Sequence, residues 1–248
     1  MLKFGLVGYP LIHSLSRHFF SEKFKRENID AVYLNFEIPG ISQFPQILES
    51  NPELKGLNVT IPYKELVIPY LDDLSEDAKK IGAINVIKFE RSGKNVRLIG
   101  YNSDVIGFQN SIKPLIDTAV HSKALILGTG GASKAVVRGL QNIGIETKYV
   151  SRTAKDGMLA YSDLNQEIMN EYTIVVNCTP LGTFPDIDDA PEIPYEFLSS
   201  KHLLYDLVYN PAETKFLRLG KERGAVVKNG EEMWRLQALA AWEIWNKE

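Results

Sequence analysis

The segment Ala124-Leu-Ile-Leu-Gly-Thr-Gly-Gly-Ala-Ser133 is an apolar run that breaks into a glycine-rich turn and then continues with helix-forming residues. In such a turn Gly128 permits the tight reversal, and Gly130 lets backbone amides approach an anion closely. The helix that follows presents unpaired N–H groups and the positive end of its dipole to that anion. Ser133 stands where the third glycine of the pattern is usual. Taken alone, the string also suits a tight strand–helix turn with no ligand. The strand before it and the helix after it favour a dinucleotide pyrophosphate.

The next apolar run ends at Val150-Ser151-Arg152-Thr153. A site for NAD places an acidic side chain there to hold the ribose 2′-hydroxyl, and none is present. Arg152, with Thr153 and Lys155, has the chemistry to hold a 2′-phosphate through charge-assisted hydrogen bonds, so NADP is the expected cofactor.

A cofactor does not name a substrate. Four further strings carry polar chemistry: Gly8-Tyr-Pro-Leu-Ile-His13-Ser14-Leu-Ser16, Asn58-Val-Thr60-Ile-Pro-Tyr-Lys64, Gly82-Ala-Ile-Asn85-Val and Gly100-Tyr-Asn-Ser-Asp104-Val-Ile-Gly107. Together they supply hydroxyls and amides around one lysine and one aspartate, a set that suits a small polyhydroxylated carboxylate. Ser14 and Ser16 lie two apart and face one side in extended backbone, where both can reach one carboxylate. Ser16 also suits the N-cap of a helix starting at Arg17. Burial lowers a lysine pKa and a nearby carboxylate raises it. Lys64 and Asp104 are therefore the candidates for proton transfer, set against the alternative of a surface ion pair.

These strings need elements to position them. Strands are expected over 3–8, 31–38, 57–61, 83–90 and 96–99, with helices over 17–28 and 41–50 and a glycine hairpin at Arg91-Ser92-Gly93-Lys94-Asn95. A second series has strands over 124–127, 146–150, 173–177, 203–208 and 225–228, with helices over 133–143 and 231–246. A connecting helix is expected near 103–112. Strands separated by helices imply parallel pairing. The expected fold is α/β with two domains and a cleft between them: a substrate domain with a mostly parallel sheet over 1–104, and a Rossmann-type NADP-binding domain over 105–229.

The 248 residues are 44% hydrophobic and 24% charged, with net charge −3, which gives no broad basic footprint for nucleic acid or an anionic membrane. One cysteine, Cys178, allows no internal disulfide and fits a reducing compartment. The amino-terminal run lacks the apolar core of a signal peptide, and no run approaches spanning length, so a cytoplasmic protein is expected. His13, His18, His121 and His202 show no metal-ligand spacing, and no metal is expected; His13 is expected to shape the serine loop. Cys178 reads as a small packing residue, as do Trp234, Trp242 and Trp245 of the last helix.

Taken together, the strings resemble the shikimate dehydrogenase family. The resemblance runs from Leu6 to the last helix and includes the serine pair, Asn58 to Lys64, Gly82 to Asn85, Asn102-Ser-Asp104 and the glycine turn. It continues through Asn177-Cys-Thr-Pro180, Asp206-Leu-Val-Tyr209-Asn-Pro211 with Thr214, and Gly230-Glu-Glu-Met-Trp-Arg-Leu-Gln237. It implies NADPH-dependent reduction of 3-dehydroshikimate to shikimate, in aromatic amino acid biosynthesis, with small molecules as the partners of a monomer or homodimer. Ser14 and Ser16 would hold the carboxylate, while Thr60, Asn85 and Gln237 would hold hydroxyls. Lys64 and Asp104 would be the catalytic pair, and Tyr209 would line the cleft. The cofactor would meet Gly128, Thr129, Gly130, Gly131, Ala132, Ser133, Ser151, Arg152, Thr153, Lys155, Thr179 and Gly230, the last beside the nicotinamide. The final helix, over 230–248, would return to the substrate domain.

Three features depart from the family pattern. Arg17-His18-Phe19-Phe20 stands where a proline and His-Asn are usual, Ser151 stands where asparagine is frequent, and the chain stops soon after Gln237. Two other readings stay open at this point: an NAD-dependent quinate/shikimate dehydrogenase, and a catalytically silent metabolite sensor. From the basic loop after Val150 we expect the protein to prefer NADPH and Arg152→Ala to erode that preference. Steady-state comparison of the two cofactors checks it, and equal use of NADH by the unmutated protein would refute it.

Overall fold

A computed structural model describes residues 1–11, 14–93, 95–155 and 157–247. His13, expected to shape the serine loop, and Lys94, expected in the hairpin turn, lie outside the described residues. By internal packing the chain divides into two units, Met1–Ser103 with Ala238–Glu248, and Asp104–Gln237.

The first unit opens with β1 (Leu2–Gly8), α1 (Ser16–Arg26), β2 (Ala31–Glu37), α2 (Phe44–Ser50) and β3 (Leu54–Val59). After them come α3 (Tyr63–Leu66), β4 (Asp73–Leu74), α4 (Glu76–Ile81), β5 (Val86–Ser92) and β6 (Asn95–Tyr101). The sheet order is β2-β1-β3-β5-β6-β4. Pairs β1–β2, β1–β3 and β4–β6 are parallel, while β3–β5 and β5–β6 are antiparallel, which is the mostly parallel sheet expected. Local chemistry sets several element ends. The Ser75 side chain caps α4 by accepting from Ala78 N at 3.3 Å, and Gly82 closes that helix with φ +69°.

The second unit begins in α5 (Ser103–Ile112) and continues through β7 (Lys123–Leu127), α6 (Gly131–Asn142), β8 (Glu146–Ser151), β9 (Leu159–Ala160) and α7 (Gln166–Glu171). It then runs through β10 (Ile174–Asn177), β11 (Leu203–Asp206), α8 (Lys215–Glu222) and β12 (Val226–Lys228) into α9 (Glu231–Asn246). Its sheet is all parallel in the order β12-β11-β10-β7-β8-β9. That is the Rossmann arrangement, in which the chain winds one way from β7 to β9 and the other way from β10 to β12. Strands β7 and β10 are buried along almost their whole length, as strands covered on both faces are.

Helix α9 is divided between the units. Met233 packs in the second unit with Phe108, Ile112 and Tyr205, whereas Ala238, Ala241 and Trp245 pack in the first with Phe4, Phe20 and Tyr33. The division therefore falls after Gln237, inside the helix, and not at Gly230. Trp245 stacks on Phe4 at 4.8 Å between centroids and donates from Nε1 to Ile87 O at 3.2 Å. A Cβ on Gly56 would overlap the Trp245 indole, so the glycine of β3 is what admits the ring.

Two expectations need correction here. Strand β3 starts at Leu54 instead of Leu57, because Leu54 and Gly56 are buried partners of β1 and only Lys55 faces solvent. Ser16 is not an N-cap: it is the first residue of α1, whose cap position is Leu15, with no side-chain cap bond. Trp245→Ala is expected to lower stability by about 3–5 kcal/mol through the cavity it leaves. Urea denaturation followed by circular dichroism measures this, and a loss under about 1 kcal/mol would remove the indole from its place in the core.

Candidate active site

The turn after β7 has the geometry a phosphate needs. Gly128 takes φ +96°, a conformation that L side chains rarely adopt, and a Cβ there would lie 2.9 Å from Thr179 Cγ2. Thr129, Gly130 and Gly131 are exposed, Ala132 is half-buried, and a Cβ built on either Gly130 or Gly131 meets nothing within 4 Å. Gly130 is the N-cap of the 12-residue α6, the end at which a helix leaves its first amides without intrahelical partners. Ser133 is fully buried and donates from Oγ to Gly130 O at 2.6 Å. A small side chain suits this place, and its hydroxyl ties the turn. The residues present thus fit a dinucleotide pyrophosphate.

Strand β8 carries Ser151 as its last residue, and Arg152, Thr153 and Lys155 follow on an exposed loop with no acidic residue among them. Thr179 follows β10, the strand beside β7, so it stands where the sheet changes its winding direction and where open α/β sheets bind ligands. Asn177 Oδ1 accepts from Thr179 N at 3.0 Å and Thr179 Oγ1 at 2.6 Å. Gly230 N donates to Val208 O at 3.2 Å, and a Cβ on Gly230 would overlap the Leu207 carbonyl. Tyr209 is half-buried beside Trp234, with ring centroids 6.3 Å apart.

In the first unit, backbone and side-chain bonds gather the four polar strings at one end of the sheet. Thr60 N donates to Val7 O at 2.9 Å, and a Cβ on Gly8 would overlap the Thr60 methyl. Lys64 lies on the one-turn α3, and its carbonyl accepts from Ile84 N at 2.8 Å. Asn102 Nδ2 donates to Ala83 O at 3.0 Å. Asn85 is buried; its Oδ1 accepts from Ser103 N at 2.7 Å and its Nδ2 donates to Ser103 Oγ at 3.0 Å. Ser14 and Ser16 are half-buried, with Ser16 N donating to Ser14 Oγ at 3.4 Å.

Beneath these residues runs a polar chain that sequence reasoning did not assign. Tyr33 OH donates to Asn58 Oδ1 at 2.7 Å, and Asn58 Nδ2 donates to Asn85 O at 3.2 Å. Burial pushes the Tyr33 hydroxyl well above the usual tyrosine range, and a hydrogen bond with Ser16 opposes part of that shift. Tyr33 therefore connects Ser16 to Asn85 through the interior. Its one visible signal is a tyrosine inside an apolar strand, which requires a partner for its hydroxyl. The Arg17-His18-Phe19-Phe20 departure resolves in the same place. Arg17 and His18 are exposed, while Phe20 stacks on Tyr33 at 4.7 Å and 10°.

Asp104 and Gln237 belong to the second unit. A Cβ on Gly107, one turn after Asp104 on α5, would lie 2.6 Å from Met233 O and 2.9 Å from Gln237 N and Cβ. The glycine lets α5 and α9 touch backbone to backbone beside both residues. His121 and His202 have fixed structural partners: each Nδ1 accepts a backbone N–H, from Asp117 and Ser199, and each Nε2 faces a carbonyl, of Lys201 and Met169. Burial raises the Cys178 thiol well above its usual range, so it is no nucleophile. Among the described residues no group of His, Cys, Asp or Glu could hold a metal ion, and no helix is long and apolar enough to cross a membrane.

Strand order and glycine turn define a two-unit α/β protein built on a Rossmann dinucleotide fold. A family model described as the shikimate dehydrogenase substrate binding domain matches residues 6–87. The shikimate dehydrogenase (NADP(+)) of Carboxydothermus hydrogenoformans is 38% identical over 257 residues, covering 97% of this chain and 90% of that protein. The crystal structure of shikimate 5-dehydrogenase from Thermus thermophilus in complex with NADP(H) and shikimate has a TM-score of 0.86 at 30% identity, over 100% of this chain and 93% of that one. The Listeria monocytogenes shikimate 5-dehydrogenase, solved with shikimate and NAD, has a TM-score of 0.87 at 26% identity, over 100% and 92%. The chain belongs to the shikimate dehydrogenase family.

One buried acid stands apart. Burial raises the Asp206 carboxyl to about 6, opposed by hydrogen bonds from Thr214, Val208 and Asn177. An unfolded aspartate titrates near ~3.9, so between these values the folded chain holds the extra proton. That contribution to stability is full below the unfolded value and is lost as pH rises through about 6. The neutral variant Asp206→Asn lacks this loss. Between pH ~4.5 and ~7.5 it is expected to gain about 2 kcal/mol on the parent in urea denaturation, and an unchanged difference across that range would overturn the assignment.

Proposed function

We propose that this protein is a cytoplasmic NADP-dependent shikimate dehydrogenase, reducing 3-dehydroshikimate reversibly to shikimate. The observation that carries the reading is the likeness to shikimate dehydrogenases (NADP(+)) along nearly the whole chain, both units included. The uncrowded glycines at the start of α6 support the pyrophosphate end of the cofactor. The exposed Arg152, standing directly after β8 where an acidic residue would select NAD, supports NADP over NAD. A relative solved with NAD shows that the fold alone does not choose.

When bound, NADPH would supply the hydride, from the nicotinamide C4, that reduces C3 of the substrate ring. The chain supplies placement and the proton. Ser14 and Ser16 hold the carboxylate at one end of the substrate, and Thr60, Asn85 and Gln237 take its hydroxyls. Lys64 gives a proton to the C3 oxygen as that carbon is reduced and takes it back in the reverse direction. Asp104 orients the same oxygen. Tyr209 and Gly230 border the nicotinamide end. Held this way, the reacting atoms meet with little further loss of freedom, and the donors around the oxygen stabilise its developing charge.

The direct test is NADPH oxidation with 3-dehydroshikimate, run beside NAD and quinate. We expect NADPH with 3-dehydroshikimate to be the preferred pair, and Lys64→Ala to lower kcat about 10²–10⁴-fold with substrate KM little changed. Near-normal kcat would take Lys64 out of the proton step. Binding of both ligands without turnover in the unmutated protein would replace the enzyme reading by a sensor.

A further inference from the structure

Asp206 closes β11 with no exposed surface, and the reaction described above makes no use of it. Its Oδ1 accepts from Val208 N at 3.0 Å and from Asn177 Nδ2 at 2.9 Å, and its Oδ2 accepts from Thr214 Oγ1 at 2.6 Å. Strands β11, β10 and β7 are neighbours in that order. The contacts therefore run across three adjacent strand ends, from Asp206 to Asn177, to Thr179, and to the methyl that lies against Gly128.

The direction of these bonds follows from donor and acceptor chemistry. Val208 N–H requires an acceptor at Oδ1, so Oδ1 also receives the amide NH₂ of Asn177. Asn177 must then turn its oxygen toward Thr179, where it accepts both the backbone N–H and the hydroxyl. That bond fixes the Thr179 rotamer. Its Oγ1 also accepts from Leu181 N at 3.3 Å, and its Cγ2 is left facing Gly128. Without the acceptor at position 206 the Asn177 amide is free to turn over, which would set its NH₂ against the Thr179 N–H. Two donors would then face each other, and the loop that flanks the glycine turn would lose its anchor.

We propose that Asp206 is a positioning residue for the dinucleotide site: acting through Asn177, it holds Thr179 against Gly128 and so sets the turn that receives the cofactor. This rests on the reading of that turn as the NADP site. An ionised carboxyl costs stability in so dry a place, so the value of the group lies in where its acceptor stands, not in its charge.

The test uses the full chain, NADPH fluorescence titration, and steady-state kinetics with 3-dehydroshikimate. Asp206→Ala removes the acceptor and is expected to raise the Kd and KM for NADPH about tenfold. KM for 3-dehydroshikimate and kcat at saturating NADPH should stay within about twofold. Asp206→Asn retains an acceptor for Val208 and Asn177 and is expected to restore most of the affinity. A folded Asp206→Ala protein with unchanged NADPH affinity would overturn the proposal. So would equal rises in both KM values, or an Asp206→Asn variant as weak as the alanine. Should Asp206→Ala fail to fold, Asn177→Ser decides, since it shortens the side chain that links Asp206 to Thr179 and leaves Thr179 itself unchanged: weakened NADPH binding supports the proposal and unchanged binding overturns it. An unmutated protein that does not bind NADPH would instead bring down the cofactor reading itself, a result the titration of the parent shows separately.

Discussion

Parallel strands all leave a sheet by the same end, and that constraint arranges everything functional in this chain. In the all-parallel sheet, β7 and β10 lie side by side while the chain winds away from them in opposite directions. No connection from either strand covers the gap between their ends, so the Gly128 turn and the Asn177–Thr179 loop meet there. In the other sheet, β1, β3 and β6 end at the same place where the antiparallel β5 begins. Four polar strings far apart in the chain are gathered at that end without any one of them encoding the others.

Both gathering places depend on buried polar chains to hold their shape. A buried amide or hydroxyl costs free energy unless each donor finds an acceptor, and this requirement leaves few arrangements open. In the first unit Tyr33, Asn58 and Asn85 pass the requirement from one residue to the next, and Ser103 closes it. In the second unit Asp206, Asn177 and Thr179 do the same. Among the described residues no fully buried side-chain nitrogen or oxygen lacks a partner. Side chains at the surface of each site are thus fixed from below, which is what a site that positions small ligands requires.

Cofactor choice rests on much less structure. Relatives solved with NADP(H) and with NAD share the fold almost equally well with this chain. What separates the two cofactors is a 2′-phosphate, and the short exposed loop after β8 is where it would be met. A guanidinium on such a loop has the chemistry to meet that group without altering the sheet beneath it. The polar strings of the first unit are the opposite case, since they come from several elements and are joined by buried hydrogen bonds.

The amino-acid sequence by itself determined whatever depends on neighbours along the chain. It set the apolar run and glycines of the β7–α6 turn, the missing acid after β8, the tryptophan-rich last helix and the polar strings at strand ends. Short elements were not legible: the one turn of α3 that carries Lys64 and the two-residue strands β4 and β9 offer too few residues for a period to show. Ser133 departed from a glycine pattern in sequence, yet in the structure it is a buried side chain whose hydroxyl closes the turn. Gly56 did not read as strand, because its reason is Trp245, a residue almost the whole chain away. Tyr33 and Asp206 likewise have their meaning in partners on other strands. Periodicity and turn chemistry act over a few residues and can be read in order. A hydrogen-bond partner or a ring that needs a glycine beneath it is set by which strands lie side by side, and only the tertiary structure decides that.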